Sequence, residues 1–173
     1  MDVGSGNKYL VVGSNNDYAL TLSGSTIGAA KVTIKNNQIV LENPSNYEFY
    51  FVSNNSKERN TYLLTRDGSK SVYHMNGNMY YGNDNKGYWY VAADSNGKYR
   101  VYDYDNCNWF LNYGYVWGSD AVSRFAVSST TRNVRLFKLT GPANDGYARL
   151  SGATRQSYCA VDGATLASVL NKI

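Results

Sequence analysis

This 173-residue chain has one histidine, two cysteines and two prolines, no long apolar run and no block of basic charge. Each shortage closes a class of function. His74, in Val72-Tyr-His-Met75, has no nucleophile motif beside it for a Ser-His-Asp or Cys-His centre, so it reads as a structural or exposed strand histidine. Zinc needs several closely spaced nitrogen or sulfur ligands, and one histidine with Cys107 and Cys159 cannot supply them. Glycines fall in turns and never in the GxxxxGK[ST] or GxGxxG arrangements that cradle phosphates. No cofactor is expected.

Seventeen Lys and Arg are scattered singly around a net charge of +4. A nucleic-acid binder shows a basic patch or stripe. Arg132 and Arg135 come nearest to one and read better as solvated strand ends, so no nucleic-acid partner is expected. Membrane insertion is not expected either, because no apolar stretch approaches the length that crosses a bilayer. No secretory signal is legible, and Met1-Asp-Val-Gly-Ser-Gly6 reads as the approach to a domain boundary. A bridge between Cys107 and Cys159 would close a loop of about 50 residues and stabilise by roughly 4 kcal/mol. Their surroundings do not say whether they meet, and the free state is the expectation.

What the chain does have is aromatics. Seventeen Tyr, 5 Phe and 3 Trp make up 14% of it, within a 43% hydrophobic composition that excludes a disordered chain. Tyrosine favours half-buried pleated surfaces and carries a polar tip, which points to strands and binding faces.

Short apolar-aromatic runs alternate with turn clusters along most of the length. Lys8–Val12, Tyr18–Leu22, Glu48–Ser53, Asn60–Thr65, Gly87–Ala93, Lys98–Asp103, Asn108–Tyr113, Arg124–Ser128 and Asn133–Leu139 all read as strands. Gly87–Ala93 and Lys98–Asp103 about the turn Asp94–Gly97 form the clearest hairpin. Val32, Ile34, Ile39 and Leu41 about Lys35–Asn37 read as another. The expectation is an all-β domain over residues 1–139, with about a dozen short antiparallel strands. A likeness of Phe51-Val52 to Tyr62-Leu63 with Tyr90-Val91 to Tyr99, which the first forty residues follow loosely, suggests a β-trefoil, and a closed barrel or sandwich explains the strands equally well. From Thr140 the composition becomes linker-like. Leu166, Val169, Leu170 and Ile173 then sit at helical spacing, so residues 140–173 are expected to be a linker and a short amphipathic helix able to seed a homo-oligomer.

Catalysis has one further route, a pair of carboxylates. Asp103 and Asp105 flank Tyr104 and would share a face if the strand continued, but their Asn-rich surroundings read as wet. The segment Asp103–Asn108 also resembles a calcium loop without its central Gly and distal Glu, so no metal is expected. The chain is expected not to be an enzyme. Its middle instead crowds Tyr and Trp with Asn, Gly, Ser and Asp, the composition of recognition surfaces. Tyr88, Trp89, Trp109, Tyr113, Tyr115 and Trp117 are the candidate ligand contacts. Alternation should turn some of them inward.

Ser123-Arg-Phe-Ala-Val-Ser-Ser129 through Asn133-Val-Arg-Leu-Phe-Lys-Leu139 resembles the ending of β-rich accessory modules from secreted and surface proteins of gut Bacteroidota and Firmicutes. Those close with a serine-rich turn and a Leu-Tyr-Lys-Leu-like strand, and Phe137 replaces that Tyr here. Trp109-Phe-Leu-Asn-Tyr113 resembles their Leu-Arg-Tyr-Asn region more loosely. The motifs cover about a fifth of the chain. The resemblance implies an extracellular or cell-surface, non-catalytic part and carries over no site residues. The expected function is a non-catalytic binding or adhesion module of a bacterial surface or secreted protein, with carbohydrate the leading ligand class and a host or cell-surface protein the other partner. A virion component that recognises a host is the rival.

Overall fold

Three segments share one pattern: a tyrosine, an aliphatic residue two places on, then a polar turn. They are Tyr9-Leu-Val11, Tyr62-Leu-Leu64 and Tyr99-Arg-Val101, and all six of these Tyr and aliphatic side chains are buried. Period-2 spacing puts each pair on one face of a strand.

The computed structural model describes residues 6–84, 86–94, 97–118, 120–130, 133–143 and 155–161. The fold runs in three successive parts, and the first stretch, up to residue 46, forms β1 (Tyr9–Gly13), β2 (Tyr18–Ser23), β3 (Thr26–Lys31) and β4 (Gln38–Glu42), then a 3-10 turn at Pro44–Asn46. The second forms β5 (Tyr50–Ser53), β6 (Tyr62–Thr65), β7 (Ser71–Met75) and β8 (Asn78–Gly82). The third forms β9 (Trp89–Ala93), β10 (Tyr99–Asp103), β11 (Phe110–Val116), β12 (Asp120–Ser128) and β13 (Val134–Pro142), and β14 (Arg155–Ala160) follows. The protein is all-β and its strands pair antiparallel.

The pairings curl the sheet into a ring. β1 lies along β13 from Tyr9↔Lys138 to Gly13↔Val134. β13 touches β10 at Tyr99↔Val134, β10 pairs with β9, β9 meets β6 at Tyr62↔Trp89, and β6 pairs with β5. Phe49, just ahead of β5, returns to β1 through reciprocal backbone bonds with Tyr9 of 2.8 and 2.9 Å. Between ring strands the chain throws out three hairpins: β2–β3, β7–β8 and β11–β12. Their outer strands β3, β8 and β12 contact one another.

Register shows how the core repeats. Val11 faces Leu136, Leu64 faces Phe51 and Val101 faces Val91, and all six are at most 4% exposed within one cluster. Truncating such a residue costs about 2–5 kcal/mol, so this layer holds the ring shut. Trp89 is completely buried in the same cluster and donates its indole N–H to the Val72 carbonyl at 2.8 Å.

β1 is buried on both faces, which explains why it reads as a continuous apolar run. Its outer face is covered by β4 and β14. There Leu10, Val12, Ala19, Val32, Ile39, Phe137 and Tyr158 form a second cluster. Burial, and then its 2.7 Å bond to the Glu48 carboxylate, push the Tyr158 hydroxyl far above its ordinary pKa. Arg66 ties the first stretch to the second. Its guanidinium lies 5.0 Å from the Phe49 ring and donates to the Leu22 carbonyl at 2.7 Å and the Glu48 carbonyl at 2.9 and 3.0 Å.

Several expectations meet the structure differently. The Gly87–Ala93/Lys98–Asp103 hairpin is β9–β10, and its register runs from Tyr99↔Ala93 to Asp103↔Trp89. The Val32–Leu41 hairpin does not form: β3 ends at Lys31, and β4 pairs with β14 across five residues. Only the Lys35–Gln38 bridge remains of it. Alternation had placed Val32 and Ile39 on the right face, but the ladder partner lies more than a hundred residues away in sequence. Of the segment from Thr140, residues 140–142 extend β13 and 155–160 form β14. The predicted helix over 164–173 lies outside the described residues. Cys107 is exposed, Cys159 is half-buried, and both are free thiols.

Candidate functional site

The loop after β10 carries the candidate site. It closes where Asp103 N–H donates to the Trp109 carbonyl at 3.0 Å. Within it Trp109 N–H donates to the Asn106 carbonyl at 3.1 Å, and Asn108 N–H to Asn106 Oδ1 at 3.0 Å. These turns leave Asp105, Asn106, Cys107 and Asn108 exposed.

Aromatic rings flank the loop. On one side Trp109 meets Trp117 edge-to-face, with centroids 4.7 Å apart at 74°. Both indoles are half-buried. Trp117 holds φ at 58°, a left-handed conformation that costs a bulky residue about 1–2 kcal/mol. Its backbone is pinned by Trp117 N–H to Val127 O at 2.9 Å and Ser129 N–H to Trp117 O at 2.8 Å. The β7–β8 turn abuts it: a Cβ on Gly77 would sit 2.5 Å from Val116 and 3.1 Å from the Trp117 ring. On the other side Tyr88 and Tyr104 meet edge-to-face at 5.4 Å, and Ser56 Oγ donates to the Tyr88 hydroxyl at 3.3 Å. Tyr88 also lines a polar cavity of about 170 Å³ with Asn54, Ser69, Asn83 and Asp84.

The six predicted contacts therefore separate. Trp109, Trp117 and Tyr88 surround the loop. Trp89 is corrected to a core residue, because alternation along β9 turns it inward between Tyr88 and Tyr90. Tyr113 points toward the first hairpin. It stacks on Tyr18 at 4.6 Å and 8° and meets Phe125 edge-on, away from the Trp pair. Tyr115 is exposed across the Gly114 irregularity of β11. Tyr104 was missed, although it stands between the two aspartates that drew attention.

The surroundings are acidic. Burial first, then Asp105, Asp103, Tyr88 and Asp84, raise the Tyr104 hydroxyl above its ordinary pKa, so it remains a donor at neutral pH. Beneath the loop His74 Nε2 hydrogen-bonds Asp103 Oδ2, and Asp103 Oδ1 accepts from Asp105 N–H at 3.0 Å. The paired-carboxylate geometry does not arise. β10 ends at Asp103, whose carboxylate is buried and engaged on both oxygens, while Asp105 lies in the exposed loop. Arg135 is likewise structural: it grips the loop after β1 through Gly13 O, Asn16 O and Asp17 Oδ1 at 2.8, 3.1 and 3.0 Å. Arg132 lies outside the described residues. Flat apolar rings beside amides, a carboxylate and phenols suit a ligand with both C–H faces and hydroxyls.

No family model matches this sequence, and no curated protein matches it. Among solved structures the fold is similar to SeviL bound to asialo-GM1 saccharide, with a TM-score of 0.53 over 76% of this chain and 96% of that one. Sequence identity is 13%, so the likeness speaks to the fold alone.

Proposed function

We propose that this chain is a non-catalytic, lectin-like module of β-trefoil type that binds a neutral saccharide at the Trp109–Trp117 shelf. The trefoil reading is supported by the six-strand ring, the three hairpins inserted around it and the repeated Tyr-x-aliphatic core pairs. The observation that carries the functional reading is the shelf itself. Two indoles are held at right angles, one of them on a left-handed backbone, beside a loop of exposed amides and a carboxylate. Strain at a bulky residue persists where the surroundings over-determine it, and such positions cluster at ligand sites. The saccharide bound by the similar solved structure supports the ligand class. The resemblance of Ser123–Leu139 to secreted modules supports an extracellular or cell-surface setting.

In this reading sugar C–H faces lie on Trp109 and Trp117. Hydroxyls donate to Asp105 and accept from Asn108 and the protonated Tyr104. A glycan array with the purified chain, beside Trp109→Ala and Trp117→Ala, tests it. Selective binding that falls about 30-fold in a variant with an unchanged circular dichroism spectrum is expected, the scale of an aromatic hot spot. A blank array, or binding untouched by either substitution, overturns the shelf and shifts weight to a protein partner.

A further inference from the structure

A second pocket lies where the three hairpins converge. Its walls come from all three: Ile27 and Gly28 of β3, Asn78, Met79 and Tyr80 of β8, and Arg124 and Phe125 of β12. Ile27, Met79 and Phe125 pack with the main cluster and make an apolar floor. Tyr80 is 42% exposed, and its ring is backed by Tyr73 at 5.6 Å and 27°, so it stands as a rigid wall. Arg124 is the charged group of the rim. It donates from Nη2 to Asn78 Oδ1 at 2.8 Å, which orients the guanidinium. Among the described residues no carboxylate pairs with it.

We propose that this axial pocket is a second saccharide site, selective for a carboxylate-bearing sugar such as a uronate. The proposal rests on the lectin-like reading and adds a ligand class that the acidic Trp109–Trp117 shelf would repel. An arginine already oriented through one amino group presents its remaining N–H donors as a fork matched to a carboxylate. Tyr80 and Met79 receive the apolar face of the ring. The cavity measures about 160 Å³. That is below the 300–1,000 Å³ of ordinary small-molecule clefts, a size for one sugar residue and not a chain.

Glucuronic acid titrated into the isotope-labelled protein, with glucose and acetate as parallel arms, tests the assignment. Glucuronate is expected to shift the backbone amides of Gly28, Asn78 and Tyr80, with weaker effects from glucose and acetate. Arg124→Gln should weaken that binding about tenfold or more, and Trp109→Ala should leave it unchanged. Arg124→Lys, which keeps the charge and loses the fork, should fall between. Equal response to acetate and glucuronate, or glucuronate binding that survives Arg124→Gln, overturns the proposal. Neutral glycans bound at the shelf while glucuronate leaves Gly28 and Asn78 unmoved would overturn it without touching the lectin-like reading. Silence from every saccharide at both places would sink the two together.

Discussion

The loops after β6 and after β10 hold corresponding places in the ring, yet one is sealed and the other is presented. After β6, Asp67 Oδ1 accepts the N–H groups of Ser69 and Lys70 at 2.9 Å each, together with hydroxyls from Thr65, Ser69 and Tyr81. Its polar groups are spent on its own turn. At the end of β10 the acid Asp103 is drawn under the loop by His74, and the chain above it offers Asp105, Asn106 and Asn108 to solvent between two aromatic pairs. The loop after β1 resembles the sealed case, since Arg135 clamps it. One frame thus tolerates different fates for equivalent loops, because the ring's core pairs and not the loops carry its stability.

That contrast can be broken at several points. The largest effect belongs to Trp89→Ala. It should cost about 3–5 kcal/mol in urea unfolding, as large-to-small changes at buried aromatics do, whereas Trp109→Ala should retain a cooperative transition near the parent midpoint. Equal losses at the two would mean that Trp109 is as structural as Trp89. Arg66→Met should follow at about 2–3 kcal/mol, the range for lost hydrogen bonds from a charged donor, here to part-buried carbonyls. It should leave glycan affinity unaltered, since the guanidinium holds Leu22, Glu48 and Phe49 and no residue of the shelf. Gly77→Ala places a methyl 2.5 Å from Val116 on a backbone with φ of 81°. A loss of about 1–3 kcal/mol from overpacking is expected. Because Trp117 must shift with Val116, saccharide binding should weaken more than stability does; unchanged affinity would argue that the orientation of Trp117 is not used.

The smallest effect is in the sealed loop. Burial raises the Asp67 carboxyl, but the Lys70 and Ser69 amides and the Thr65 and Ser69 hydroxyls outweigh it and hold the pKa at about 2, below the ordinary 3.8. A depressed folded-state pKa gives stability that is present above pH 3.8 and is lost as pH falls toward 2. Asp67 is exposed, so the contribution is small. Asp67→Asn should flatten that part of the acid-unfolding profile, and an unchanged slope would place the acid sensitivity elsewhere.

Much of the fold was legible because strands announce themselves locally. β9 and β10 were readable from alternation around an Asp-Ser-Asn-Gly turn, as were β5 and β6 about their polar loop. β3, Thr26-Ile-Gly-Ala-Ala-Lys31, was missed: it has few β-branched residues, is half-buried from Ile27 to Ala30 and is exposed at both ends. The β7–β8 hairpin was also missed, although Asn76-Gly77 supplies both left-handed positions of a tight turn. Of the site, Trp109, Trp117 and Tyr88 were picked out by their company of amides. Nothing local separated them from Trp89, since all four aromatics lie at or beside a strand end and the letter is the same inside and outside.

The sequence by itself determined the all-β class, the positions of most strands and the pool of aromatic and amide side chains from which a recognition surface could be built, because period-2 patterning and turn chemistry act over a few residues. Only the tertiary structure decided the rest. It chose β14 over Lys31–Ile34 as the partner of β4, buried Trp89, set Trp109 against Trp117, hid Asp103 beneath its loop and brought Ile27, Tyr80 and Arg124 to one pocket. All but the Trp109–Trp117 pair, which closes across β11, join residues far apart in sequence, and such contacts follow from ring closure and register, which no local pattern encodes.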